Sequence, residues 1–338
     1  MTGGGMRSRR RSIDKAGGIG SAVAVGAGLW LGVATLVQPR LALADEAFTT
    51  DQTASAVSVL DLTTKKLVAT IPVPGKPAGI AMAPDGRYAY VTSPEGRDVS
   101  VIDTAARRVL RKIAVGEDPL GIGIDPSGTF VYVADFDIPY LYKVDVQKGV
   151  VVGKAKVGNS PCGVAVTPDG KEIVVADRND DKISILDAAS FKEIATVAVG
   201  KHPFGVTIDA QGKRVYSADV MSNQVSVIDL ATRKRIGIVK TGMHPYVVAL
   251  GKTYGFSTDE LSGTVTVFDL ATLKLVKRIN VGDYPEGIEL SPDGKRVYVV
   301  NWFSNDVWAI DPKTLEVVAK MKVGDGPRAF GTFIRKTP

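Results

Sequence analysis

The sequence predicts an all-β fold, a seven-bladed β-propeller built from four-stranded antiparallel blades. A proline recurs at intervals of 42 or 40 residues, at positions 77, 119, 161, 203, 245, 285 and 327. An aspartate recurs with the same spacing, at positions 61, 103, 145, 187, 229, 269 and 311. Each unit between these positions contains short, alternating, β-branched runs separated by glycine, proline or aspartate, which is the pattern of a propeller blade.

The four strands of a unit follow one plan. The innermost strand begins at the recurring proline, as at residues 77–81, and ends in a tight Pro-Asp-Gly turn, as at 84–86. Two strands follow, of which 131–134 and 225–229 are examples, and a fourth such as 194–199 completes the unit. A single twisted sheet of this size cannot bury both of its faces, so the units must pack on one another.

The two ends of the chain are predicted to share one blade. The last unit, residues 327–334, has room for one strand only. The segment before Pro77 supplies three more strands, at 47–50, 57–60 and 67–73. Pairing them closes the ring of a single propeller domain, residues 45–338, and leaves only short outer sheet edges.

Composition excludes several classes of protein. Hydrophobic residues make up 45% and charged residues 23%, which excludes a disordered chain. Of 42 basic and 36 acidic residues, six basic and one acidic lie within the first 44, which leaves 36 against 35 in the rest. This near-neutral balance gives no support for a nucleic-acid partner. The single cysteine, Cys162, excludes an intramolecular disulfide framework.

Residues 1–44 have the order of an export signal. Basic residues at 7–15 precede an uncharged stretch at 16–37, and Ala42 and Ala44 provide a small-residue cleavage site. We therefore expect a mature chain that starts near Asp45 and resides in the periplasm or outside the cell. The arginines at 9–11 resemble a twin-arginine signal, although an ordinary secretory signal or an uncleaved membrane anchor would have the same order.

Two runs carry a resemblance to a known family. YVTSPEGRDVSVIDTAARRVLRKIAVG (residues 90–116) and YVVNWFSNDVWAIDPKTLEVVAKMKVG (298–324) resemble the YVTN β-propeller repeat. The resemblance implies a seven-bladed propeller. It does not imply one activity, because that family includes exported proteins of unknown role, surface-layer proteins and propellers encoded beside quinone-dependent dehydrogenases.

The loops of a propeller divide between two faces. The crossover face carries the loops into each innermost strand and the turns between second and third strands, and the hairpin face carries the other two sets of turns. The recurring aspartates and the Pro-Asp-Gly turns belong to the hairpin face, where we interpret them as turn caps. A second polar set on the crossover face is either an acidic collar that attracts cations or a set of Asx-type caps: Asp51, Ser93, Asp135, Asp177, Asp219, Asp259 and Asn301.

The crossover face varies most from blade to blade, so a binding site is expected there. The predicted ligand- or partner-binding residues are His202, Phe204, His244, Tyr246, Tyr284, Glu286, Trp302, Arg328, Asp177 and Asp219. Glu286 and Arg328 occupy equivalent positions in adjacent blades and are expected to form an ion pair. His202, His244 and Cys162 together would suit copper or zinc.

Three functions are compatible with these observations. The first is a non-enzymatic exported scaffold that binds a periplasmic protein or a small molecule at one mouth of the central channel. The alternative is a periplasmic metal- or cofactor-dependent enzyme of redox or lyase type, or an accessory subunit, using His202, His244 and their neighbours. The third is a structural envelope module. The sequence contains no G-x-S-x-G, H-E-x-x-H or P-loop motif, and it identifies no catalytic residue.

Overall fold

Seven sheets, each built on four antiparallel strands and numbered here as blades in chain order, form the propeller domain. A computed structural model describes residues 45–335. The innermost strands of consecutive blades contact one another around the ring, and the seventh blade contacts the closing strands at the end of the chain. The predicted fold class and the predicted number of blades are both confirmed.

The strand bounds match the predicted four-strand plan. From the innermost strand outwards, blade 1 consists of Pro327–Arg328, Glu46–Asp51, Ala56–Asp61 and Lys66–Pro72. Blade 2 consists of Gly79–Met82, Tyr88–Ser93, Asp98–Asp103 and Arg108–Ala114. Blade 3 consists of Pro119–Ile124, Phe130–Asp135, Tyr140–Asp145 and Val150–Lys156, and blade 4 consists of Pro161–Val166, Glu172–Asp177, Lys182–Asp187 and Lys192–Ala198. Blade 5 consists of Pro203–Ile208, Arg214–Asp219, Gln224–Asp229 and Lys234–Lys240. Blade 6 consists of Pro245–Leu250, Tyr254–Asp259, Thr264–Asp269 and Leu275–Asn280. Blade 7 consists of Pro285–Leu290, Val297–Asn301, Asp306–Asp311 and Glu316–Lys322.

The closing segment joins two blades rather than one. Its ends pair antiparallel with one edge of Glu46–Asp51, through Pro327–Arg328 beside Asp51 and Ile334–Arg335 beside Glu46. Its middle, Phe330–Thr332, pairs parallel with Gly79–Met82 of blade 2. Gly331 makes this possible, because its φ is 116° and a Cβ there would lie 2.2 Å from the carbonyl oxygen of Ile80.

Burial falls from the centre of each blade to its rim. In blade 2 the two middle strands are buried on both faces, whereas the outer strand Arg108–Ala114 buries fully only Ile113. This outer pattern recurs in the other blades and leaves apolar side chains such as Ile236 on the rim. The middle strands therefore form the packed interface between blades, as the alternating β-branched runs predict.

The hairpin face has the local turn chemistry that the sequence predicts. Each of its seven aspartates accepts hydrogen bonds from one or two backbone amides two or three residues further along. The glycines of the first-to-second strand turns have φ between 65° and 71° at positions 86, 128, 170, 212 and 294. Each turn is thus stabilised within its own hairpin.

Helix is almost absent from residues 45–335. Short 3-10 helices occupy the second-to-third strand turns of blades 4, 5 and 6, at Arg178–Asp180, Val220–Ser222 and Glu260–Ser262. Within the described part of the chain, no helix is long and apolar enough to cross a membrane. The predicted export signal, residues 1–44, lies outside the described residues.

Candidate functional site

The crossover loops share an unusual backbone conformation. The residue before the crossover proline has φ between 49° and 66° in six blades, at Lys76, Ser160, His202, His244, Tyr284 and Gly326. In several loops a side chain of the preceding blade fixes this conformation. The backbone amides of His202 and His244 donate to Asp181 Oδ1 and Asn223 Oδ1, at 2.8 and 3.0 Å. The crossover loops therefore have a fixed backbone conformation and carry side chains that vary between blades.

Glu286 and Arg328 form the predicted ion pair. Arg328 Nη1 lies 3.4 Å from Glu286 Oε2, and the Glu286 side chain is wholly buried. The guanidinium also lies over the Trp302 ring, 4.2 Å from its centroid, and 5.3 Å from the centroid of Phe330. Charge attraction on one side and aromatic faces on the others hold Arg328 in one orientation.

A second carboxylate extends this ion pair towards His244. Glu260 Oε2 lies 3.4 Å from His244 Nδ1. The pKa of Glu286 is raised to about 8: burial raises it most, Arg328 lowers it, and the nearby Glu260 raises it. Burial also raises the pKa of Tyr246, beside the same groups, well above its usual value. The crossover face thus holds a connected polar cluster that runs from His244 to Arg328.

Glu260 was not among the site residues predicted from the sequence. It lies one residue after Asp259 of the second polar set, in a second-to-third strand turn. Trp302 occupies the same register in blade 7, one residue after Asn301. Comparing that register among blades would have revealed a carboxylate beside the crossover loops.

Three aromatic side chains form a surface cluster next to Arg328, called here the aromatic patch. Tyr284, Trp302 and Phe303 lie within 6.3 Å of one another by ring centroids, and the Trp302 and Phe303 rings are stacked at 4.7 Å. Phe303 is 57% exposed although it is large and apolar. The described surface of blade 7 thus presents a cluster of packed aromatic side chains to solvent.

Phe204 and Tyr246 have a different role, because their rings lie inside the ring of blades. With Phe330 they form an aromatic plug, with centroid distances of 4.1, 5.1 and 5.5 Å. Below the plug lies a cavity of about 480 Å³, walled by the innermost strands. Its lining extends past the strand ends on the hairpin face, to Pro168 and Ala210. Phe204 and Phe330 of the plug belong to the lining, so the plug lies at the crossover end of the cavity.

The structure does not bring together the three predicted metal ligands, His202, His244 and Cys162. Cys162 is buried with its sulfur 3.3 Å from the carbonyl oxygen of Pro203, and burial raises the pKa of its thiol to about 12. His244 contacts Glu260, and the Nδ1 atom of His202 is buried without a hydrogen-bond partner in the described structure. Within residues 45–335, no group of three or more His, Cys, Asp or Glu side chains is arranged to hold a metal ion.

Asp177 and Asp219 were predicted to bind a ligand, but both are fully buried. Asp219 accepts hydrogen bonds from Ser217, Gln224 and Ser226 and from the amide of Gly200, at 2.6–3.1 Å. Burial raises the pKa of Asp177 to about 6 and also raises that of Asp219. These carboxylates join adjacent strands to a crossover loop, which is a larger structural role than the predicted Asx-type cap.

Comparison with known proteins gives one family and many similar folds. The family model described as "YNCE-like beta-propeller" matches residues 39–128 and 127–214. No curated protein matches the sequence.

Three solved structures illustrate the similarity of fold. Hydrazine synthase of Kuenenia stuttgartiensis is 22% identical with a TM-score of 0.68, over 76% of this chain and 89% of that one. A functionally unknown protein from Desulfotomaculum acetoxidans DSM 771 is 15% identical with a TM-score of 0.75, over 84% and 98%. Dihydro-heme d1 dehydrogenase NirN in complex with DHE is 19% identical with a TM-score of 0.62, over 83% and 64%.

Proposed function

The chain belongs to the YNCE-like beta-propeller family, and we propose that it is an exported scaffold that docks a protein partner on its crossover face. The observation that carries the proposal is the aromatic patch of Tyr284, Trp302 and Phe303 with Arg328 behind it. Tyrosine, tryptophan and arginine are the residues that contribute most often to the binding energy of protein interfaces.

The depth of the site favours a protein over a small molecule. None of the three patch residues lines the central cavity, so the patch lies outside it, on the surface of the crossover face. Small molecules usually bind in concave sites that cover most of their surface, whereas shallow aromatic surfaces are typical of protein partners. Phe303, which is 57% exposed, is the side chain with the most apolar surface to lose on docking.

Rigidity supports the same function. Tyr284, which precedes its crossover proline, has a left-handed backbone conformation. Arg328 is held in place by Glu286 and by Trp302. A patch that is already ordered loses little side-chain entropy when a partner binds.

Export is the second part of the proposal. The basic, apolar and small-residue order of residues 1–44 supports it. N-terminal sequencing of the protein recovered from the cell envelope tests it. We expect a first residue near Asp45, and an intact Met1 would contradict cleavage.

Docking is tested by comparing two double variants in quantitative pull-downs from envelope extract. Trp302→Ala with Phe303→Ala removes the centre of the patch, and Ile236→Ala with Ile238→Ala removes similarly exposed side chains from the rim of blade 5. Loss of an interface hot spot costs about 2 kcal/mol or more, so the first variant should bind its partner roughly 30-fold more weakly. The rim variant should bind as the unsubstituted protein does. If the patch variant retains every specific partner, the proposal is wrong.

A further inference from the structure

The central cavity has the size and chemistry of a small-molecule site that is separate from the crossover face. Its volume of about 480 Å³ lies within the range of ordinary ligand sites. The walls are mostly aliphatic, from residues such as Ile122, Val206 and Leu290. The aromatic plug lies at the crossover end, and the lining reaches Pro168 and Ala210 on the hairpin face, so we expect a ligand to enter from the hairpin face.

A ring of small residues gives the cavity its width. The fourth residue after each crossover proline lines the cavity, and in six of the seven blades it is alanine, glycine or threonine: Ala81, Gly123, Ala165, Thr207, Ala249 and Gly331. In blade 7 the same position is Glu289. One carboxylate therefore replaces a small residue at one point of this ring.

Glu289 uses only one of its oxygens within the protein. Its Oε2 accepts hydrogen bonds from the amides of Phe333 and Ile334, at 2.6 and 2.8 Å. Its Oε1 makes no hydrogen bond to any of the residues 45–335, and it is not among the fully buried side-chain atoms that lack a partner. The side chain is partly exposed where it lines the cavity.

We propose that the cavity binds a small apolar amine, with the ammonium group paired to Glu289 Oε1 and the hydrocarbon body within the ring of small residues. A lone carboxylate in an apolar wall attracts a cation strongly, because little water competes for it. Burial raises the pKa of Glu289 to about 8 even though the two amides lower it, and no charged side chain of the described region contributes. A cationic ligand would supply the missing opposite charge.

The proposal does not depend on the proposed docking function, and calorimetric titration with two matched probes tests it. Cyclohexylmethylamine carries the ammonium group, and cyclohexylmethanol is a neutral molecule of nearly the same shape. We expect the unsubstituted protein to bind the amine at least tenfold more tightly than the alcohol. In Glu289→Gln that preference should disappear, while the side-chain oxygen can still accept from Phe333 and Ile334.

Two further variants make each outcome decisive. Ala165→Leu narrows the ring without touching Glu289 and should weaken both probes by at least tenfold, so it tests the site even if Glu289→Gln fails to fold. The patch variant, Trp302→Ala with Phe303→Ala, should bind the amine normally, which separates this site from the crossover face. Failure of both probes to bind, equal affinity for the two probes, or an amine preference that survives in Glu289→Gln would each overturn the proposal.

Discussion

The two faces of the propeller use the same residue type, aspartate, in opposite ways. On the hairpin face an aspartate such as Asp229 lies at the surface and accepts from Thr232 in its own turn. On the crossover face, ten residues earlier, Asp219 is buried and joins two strands to a crossover loop. These aspartates therefore stabilise single turns on the hairpin face, whereas on the crossover face they link separate strands and loops. The crossover face is also the one that presents varied side chains on rigid loops.

The largest test of this comparison removes the closing segment, whose contacts are the most distant in sequence. Deleting residues 327–338 removes three strands that pair with Glu46–Asp51 and with Gly79–Met82. It also exposes the faces of two blades. We expect no cooperative thermal unfolding by circular dichroism, because the deletion opens the ring and a typical domain is stabilised by only ~5–15 kcal/mol.

A shorter deletion provides the control for that experiment. Removing only residues 336–338 leaves every described strand intact, and we expect an unchanged melting temperature. If the long deletion also melts cooperatively at the original temperature, the closing segment does not hold the ring together.

A matched pair in blade 5 measures the difference between the two faces. Asp219→Ala leaves the hydroxyls of Ser217 and Ser226 and the amide of Gly200 without their buried acceptor. We expect a loss of at least about 3 kcal/mol in the free energy of unfolding. Asp229→Ala removes an exposed turn cap and should cost much less. Urea unfolding of both variants checks this, and equal losses would mean that the faces do not differ.

The sequence predicted what depends on spacing. Proline and aspartate spacing predicted the seven blades, and equivalent positions in adjacent blades predicted the Glu286–Arg328 pair. Repeat spacing assigns a residue to a loop but does not determine which way its side chain points. For that reason the burial of Asp177 and of Cys162 was not predicted.

The aromatic plug and the Glu289 site were missed for a related reason. The register of Glu289 is visible in the sequence as a carboxylate among small residues. Its contact with Phe333 and Ile334 depends on how the closing segment crosses from blade 1 to blade 2. That path follows from packing across the whole ring, which no local pattern encodes.

The response to pH should distinguish the faces within blade 4. Burial raises the pKa of Asp177 to about 6, above its ordinary 3.8, whereas hydrogen bonds from the Ser190 hydroxyl and amide lower that of Asp187. The folded state therefore binds the Asp177 proton more tightly than the unfolded state does. Its contribution is fully present below about pH 4 and is lost as pH rises towards 6, by at most about 1.4 kcal/mol per pH unit. Asp187 contributes above pH 4 and loses its effect on acidification.

Asn variants of the two residues provide the measurement. Asp177→Asn should reduce, without abolishing, the fall in unfolding free energy between pH 4 and 6, because burial also raises the pKa of Asp51 and Asp259 to about 6. Asp187→Asn should instead reduce the loss of stability at lower pH. Identical pH profiles for the two variants would contradict the assignment of one aspartate to each environment.

The smallest expected effect concerns the two histidines, which the sequence predicts to bind a metal ion together with Cys162. They lie in equivalent crossover loops, but the Cys162 sulfur is directed at backbone carbonyls and His244 is engaged with Glu260. We expect Zn²⁺ and Cu²⁺ titrations of the unsubstituted protein and of the His202→Ala, His244→Ala double variant to overlay. Stability should change by only about 1 kcal/mol, as for a typical point substitution, because both side chains are partly buried. A tight stoichiometric metal site in the unsubstituted protein that disappears in the double variant would show that the crossover face assembles a ligand set from these loops.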